Sequence, residues 1–250
     1  GLAVSQCYPN PYYRQCGDAD IFLIKGGKSA FEDGNLMIES LGIAVDRSYY
    51  KNSSFSFQGL HVENHHFCTQ VRGSKTAKKL EKYLEYMLFS EPTEMIDNTD
   101  LECPSAMFNA LFLTEHAKNH FLREGISLRH ICDWMMFRHK YADALDWKVF
   151  EDNSKKFGLW PFAQSMNHLA DFIIRGDEKV LNKNDRMLLN DILSDHISTS
   201  SQAFSLAGRW VLIKEALKVG WKYRIFSEVS MLKWLWQSCV GYFFDKKPKL

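Results

Sequence analysis

Gly17-Asp18-Ala19-Asp20-Ile21-Phe22-Leu23-Ile24 is the stretch on which the reading of this chain turns. Two acids stand at period two, and on an extended strand such residues project from one face. Hard divalent cations take oxygen ligands, so a pair of this kind can share one cation or hold two. Gly17 beside them lets a phosphate chain approach the backbone, since it has no Cβ. Ile21 to Ile24 reads as a short buried strand that anchors the acids, closed by Gly26-Gly27. A lone D-x-D also occurs in solvated turns; the glycine before it and the apolar strand after it favour the metal reading here.

Working outward, the first need is a third acid. Leu60-His61-Val62-Glu63-Asn64-His65 alternates cleanly. Leu60, Val62 and Asn64 face one way, and His61, Glu63 and His65 the other. Glu63 on such a strand would complete a carboxylate clamp with Asp18 and Asp20, and all three are expected to bind metal and act in catalysis. In a two-metal scheme, one cation lowers the pKa of an attacking hydroxyl and the other stabilises the leaving phosphate oxygens. Ile43 to Tyr50 and Phe55 to Phe57 are expected to pair across Lys51 to Ser54.

The remaining elements follow from periodicity and punctuation. Residues 1–7 read as the end of a helix broken by Tyr8-Pro9-Asn10-Pro11. Ser29 to Leu41 reads as helix, with Gly34 as its weak point. Ser74 is a suitable N-cap for a helix from Lys75 to about Phe89. Ser90 to Pro104 is polar and turn-rich, the best linker. Beyond it, helices are expected at 105–123, 127–141, 146–157, 161–175, 184–195, 202–219 and 227–243. The fold class is thus α+β: a small mixed sheet in a domain at 1–98, then an all-helical domain at 104–250 completing a cleft.

Tyr8-Pro9-x-Pro11-x-x-Arg14-x-x-Gly17-Asp18-x-Asp20-Ile21, the later Val62-Glu63-Asn64-His65, and His116-x-x-x-His120 followed by Gly125-Ile126-Ser127-Leu128-Arg129 and Asp133-Trp134 together resemble a little-characterised bacterial family of the polymerase-beta-like nucleotidyltransferases. The resemblance covers most of residues 1–140 and continues more loosely beyond. It implies a nucleoside triphosphate donor, Mg²⁺ (or Mn²⁺), and transfer of a nucleoside monophosphate to an acceptor. The superfamily places a glycine-serine or glycine-glycine helix start ahead of its D-x-D strand. Gly1 lies about where that glycine is expected, with Leu2 in place of the second residue. Gly1, Arg14 and Gly17 are therefore the expected nucleotide-binding positions, Arg14 because a guanidinium matches phosphate geometry.

His65 is expected to tune the metal site, and His61 to make ordinary hydrogen bonds. His116 and His120 lie one helical turn apart, a spacing that suits zinc. Ala117 replaces the glutamate of a zincin, however, and a polar network with Arg129 and Asp133 on the acceptor side is the preferred reading. Lys75, Lys78, Lys79 and Lys82 read as a solvated basic face. A net charge of +1, from 31 basic and 30 acidic residues, gives no electrostatic argument for a nucleic-acid partner. A small-molecule acceptor is preferred over protein or nucleic acid.

The six cysteines contain no C-x-x-C pair. With no apolar run long enough to span a bilayer, they fit a reducing, cytoplasmic setting. The aromatic C-terminal stretch, Trp221 to Arg224 and Trp234 to Phe244, is read as core packing rather than a membrane anchor. A metal-dependent nuclease is disfavoured because Glu63-x-His65 lacks the usual strand lysine. A non-catalytic nucleotide-binding module on the same fold is the other alternative.

Overall fold

A computed structural model describes residues 1–25, 27–71, 74–96, 99–194, 219–233 and 236. The order is α1 (Leu2–Ser5), β1 (Asp18–Ile21), α2 (Ala30–Ser40), β2 (Asn52–Phe57), β3 (Leu60–His65), α3 (Lys75–Ser90) and the short pair β4 (Glu94–Met95) and β5 (Glu102–Cys103). Five helices follow: α4 (Ala106–Arg123), α5 (Leu128–Lys140), α6 (Trp147–Lys156), α7 (Trp160–Arg175) and α8 (Lys183–Leu193). The class is mixed α+β, a small sheet with many helices.

The main sheet has strand order β1-β3-β2. β1 runs parallel to β3, and β2 and β3 form an antiparallel hairpin. Two sequence expectations need correction here. The strand after Gly17 starts at the acids themselves and ends at Ile21, so Phe22 and Ile24 pack half-buried against the core from irregular backbone. The hairpin partner of 52–57 is 60–65, whereas 43–50 contributes only the bridge Asp46–Ser54. The turn responsible is Gln58-Gly59, both at positive φ (51° and 83°). Consecutive positive φ values match the right-handed twist of a two-residue hairpin.

One face of the sheet is covered by α2. Asn35 of α2 accepts from Ser53 Oγ (2.6 Å) and Asn64 Nδ2 (3.0 Å), fixing the helix to both hairpin strands. Gly34 belongs to this contact: a Cβ there would lie 2.4 Å from Leu23 Cδ1. The glycine that weakened the helix in sequence is what lets the helix lie so near the chain leaving β1. The other face stays polar and carries Asp18, Asp20, His61, Glu63 and His65.

Ser74 caps α3 by accepting from Ala77 N, and Ser105 caps α4 by accepting from Phe108 N. Helices α4 to α8 fall within two residues of their expected bounds. Their apolar faces build one cluster that also takes in Cys7, Cys68, Leu80, Leu84, Met87 and Leu88 from before the polar linker. A further helix at 219–226 adds Tyr223 and Phe226 to it, in line with core packing for that stretch. The expected helix at 202–219 lies outside the described residues except for its last position. Of the one at 227–243, residues 227–230 are not helical and 231–233 are. Trp236 is exposed, and Trp234, Leu235 and 242–244 lie outside the described residues. No helix among the described residues is long and apolar enough to cross a membrane.

Candidate active site

The parallel register sets Asp20 directly beside Glu63 on the polar face, with Asp18 beside His61 one step away. His65, two residues beyond Glu63 on the same face, reaches back to both acids. Its Nε2 is 2.8 Å from Asp20 Oδ1 and 3.3 Å from Glu63 Oε2. Donor atoms of Asp20, Glu63 and His65 all lie within 4.8 Å of one another, a spacing fit for one cation. Asp18 is exposed and outside this group of three. His61 Nε2 approaches Glu63 Oε1 at 3.8 Å from the solvent side.

The electrostatics follow from these contacts. Burial alone would raise the Asp20 carboxyl, but the hydrogen bond and charge of His65 outweigh it and hold it well below the usual carboxylate range. The His65 hydrogen bond likewise lowers Glu63, with burial opposing and Lys51 assisting. Burial lowers the His65 imidazole, yet its bonds to Asp20 and Glu63 prevail and the net shift is upward. Its Nδ1 faces the Phe67 carbonyl at 3.3 Å, which can only accept. Both ring nitrogens therefore face acceptors, an arrangement that favours the doubly protonated ring.

Asn52 was not foreseen. It opens β2 opposite His65, and its Nδ2 donates to Glu63 Oε2. Only the hairpin register reveals it, because Asn-Ser-Ser carries no site signal in sequence.

Asp18 and Asp20 open onto a cleft whose opposite wall is helical: Phe112, Leu113, His116 and Ala117 of α4 and Arg129, His130, Asp133 and Trp134 of α5, with Gly1, Arg14 and Gly17 completing it. A Cβ on Gly17 would meet nothing within 4 Å, so the backbone before Asp18 is open on that side. Gly1 is the N-cap position of α1. Arg14 lines the cleft, but its fork is engaged. Nε and Nη2 each donate to a different oxygen of Asp133 at 2.9 Å, and Tyr8 Oη donates to the same carboxylate at 2.8 Å. Both charged side chains are more than nine-tenths buried. Arg129 instead donates from Nη1 to the Gln15 carbonyl (3.1 Å), just ahead of Gly17.

The expected network of His116, His120, Arg129 and Asp133 is thus redistributed. Asp133 takes Arg14 and Tyr8, His120 pairs with Glu124 Oε1 off the cleft, and His116 and His130 line it. The His116 and His120 rings meet with centroids 4.5 Å apart, tilted by 58°. Burial, then the charges of His120 and Lys51, drive His116 well below its ordinary value. Burial with Arg129 and His120 brings His130 to about 4. Both are neutral at pH 7. Among the described residues, the only group of three or more potential metal ligands is Asp20, Glu63 and His65, so the histidine pair on α4 assembles no zinc site there.

Residues 1–173 match the model of a protein family described as uncharacterised nucleotidyltransferase. The chain belongs to that nucleotidyltransferase family. The match begins at the first residue, contains both strands that bear the acids, and runs through α4, α5 and α6 to within two residues of the end of α7. Both walls of the cleft therefore lie inside the family's own span. No curated protein and no solved structure matches the chain.

Proposed function

We propose that the chain transfers a nucleoside monophosphate from a nucleoside triphosphate to a hydroxyl of a small-molecule acceptor, at a Mg²⁺ or Mn²⁺ site formed by Asp18, Asp20 and Glu63. The observation that carries this reading is the register. Two acids from different strands, Asp20 and Glu63, stand level on one face, Asp18 follows at period two, and the two aspartates open onto a cleft within the span of a nucleotidyltransferase family.

The donor set fits a hard divalent cation: carboxylate oxygens of Asp20 and Glu63 and a nitrogen of the buried His65 lie within 4.8 Å of one another, with Asp18 two residues along the same strand. Participation of His65 Nε2 as a ligand would favour Mn²⁺ over Mg²⁺. A cation held there would neutralise the triphosphate and lower the pKa of the acceptor hydroxyl.

The chain's own groups do the rest. Asp20 and Glu63 hold the charge in place, and Asn52 fixes Glu63. The open backbone at Gly17 and the guanidinium of Arg129 offer donors to phosphate oxygens. His116 and His130, both neutral, present hydrogen-bonding nitrogens to the acceptor side without adding charge. Arg14, with its fork filled by Asp133, shapes the phosphate wall rather than reaching into it. The balanced net charge supports a small acceptor over a polynucleotide.

The test is a thermal-shift series with ATP, CTP, GTP and UTP, each with and without Mg²⁺ or Mn²⁺. It is followed by a search for pyrophosphate release across hydroxylated acceptors. A cation-dependent shift for one nucleotide, absent in Asp18→Ala/Asp20→Ala, is expected, because ligand binding to the native state raises Tm by mass action. Nucleotide binding with no pyrophosphate release would instead favour a non-catalytic nucleotide-binding module.

A further inference from the structure

The peptide unit between Phe67 and Cys68 is held at both ends. Its N–H donates to Glu81 Oε1 at 2.8 Å, and its carbonyl accepts from His65 Nδ1 at 3.3 Å. The next residue adds two more bonds to the same carboxylate: Thr69 N at 2.6 Å and Thr69 Oγ1 at 2.8 Å, both to Oε2. On the upstream side, His66 N and Phe67 N both donate to the Lys51 carbonyl (2.8 and 3.1 Å). Glu81 is only 2% exposed. It lies on α3, forms no part of the cleft that Asp18 and Asp20 open onto, and has no task in the chemistry proposed above. A carboxylate is costly to bury, and Cys68 N, Thr69 N and Thr69 Oγ1, which donate to it, all belong to the two residues that follow Phe67.

We infer that Glu81 is a positioning residue for the cation site: through the Phe67–Cys68 peptide it fixes the carbonyl that holds His65 Nδ1 and so aims Nε2 at Asp20 and Glu63. In many metal sites a carboxylate or carbonyl orients a histidine directly; here a carboxylate does so one peptide removed. The inference rests on the reading of Asp20, Glu63 and His65 as a cation site.

The experiment compares wild type, Glu81→Gln and Thr69→Val. In Glu81→Gln either orientation of the amide points an NH₂ at a backbone N–H, so the peptide loses an anchor without a change in size. Two quantities are read beside Tm. One is Mn²⁺ affinity by electron paramagnetic resonance. The other is the His65 Nδ1–H signal by NMR in metal-free protein, at a pH where the ring is doubly protonated. Wild type is expected to show a downfield, slowly exchanging Nδ1–H, held by the Phe67 carbonyl. Glu81→Gln is expected to lose that signal and to bind Mn²⁺ about tenfold or more weakly, the usual scale for an outer partner. Thr69→Val, which removes only the hydroxyl bond, is expected to lower Tm while leaving the His65 spectrum and Mn²⁺ affinity unchanged.

Glu81→Gln with a wild-type His65 spectrum and wild-type Mn²⁺ affinity would overturn the inference, whatever its Tm. If wild type itself binds no Mn²⁺, the cation reading fails, and the His65 spectrum still decides the link to Glu81. Should Glu81→Gln not fold, Glu81→Asp, which keeps the charge and shortens the reach, is judged by the same two measurements.

Discussion

Asp133 and Asp20 are both acids lining one cleft, and they are furnished in opposite ways. Asp133 has a bidentate arginine and a tyrosine hydroxyl, so its charge is matched and its oxygens are filled. Asp20 shares a single imidazole with Glu63. Two acids with one histidine between them leave net negative charge at that spot, and that deficit is what a cation can fill. An acid with its own arginine is architecture, whereas acids that must share a partner keep a charge that a cation can match.

The sharpest way to break this contrast is to remove one acid of each kind. Asp20→Ala is expected to abolish nucleotidyl transfer by roughly a thousandfold or more, since several kcal/mol of charge stabilisation depend on the cation. Its urea midpoint should change little. Asp133→Ala is expected to do the reverse first. It strands a buried guanidinium and should cost about 3–5 kcal/mol in urea unfolding, with activity lost only as the fold is lost. If Asp133→Ala folds as well as wild type, or Asp20→Ala keeps its turnover, the division between the two acids is wrong.

The two arginines that line the cleft sharpen it further. Arg14 is buried against Asp133 and Arg129 is exposed. Arg129→Ala should leave stability within about 0.5 kcal/mol and raise the KM for the nucleotide by about tenfold, the value of one charged hydrogen bond.

The smallest expected effect concerns protons. His130 has a folded value near 4, below the roughly 6.5 of an unfolded histidine. Its contribution is full above pH 6.5 and is lost as pH falls through that window toward 4. His116 acts in the same sense. Tm should therefore decline on acidification from pH 6.5, and His130→Gln should flatten that limb. An unchanged limb in His130→Gln would mean that other groups govern it.

Much of this is legible in the sequence alone. Period two put Asp18 and Asp20 on one face and Glu63 with His65 on another strand, and 3.6-residue periodicity gave α4 to α8. What failed was pairing. Nothing in Gln58-Gly59 announces a two-residue hairpin, because glutamine at positive φ is uncommon, so the hairpin was sought one strand too early. The parallel match of β1 to β3 needs a crossover that no local signal encodes. Period two makes Asp18 and Asp20 equals in the sequence, and only the side-chain geometry singles out Asp20 as the one bonded to His65. Arg14 and Asp133, 119 residues apart, were each legible as charged residues of interest but not as partners, and that pairing decides which cation is left to face the cleft.

The Arg14–Asp133 pair has a consequence for motion. Cleft enzymes commonly admit substrate by swinging one wall away from the other. Here a buried bidentate bond joins the segment leading into β1 to the helix opposite it, and any swing that separates them must strip both charges of their partners. The walls are riveted at that point, so ligands are expected to enter and leave by rearrangement of side chains at the rim, through a mouth whose width is set once, at folding.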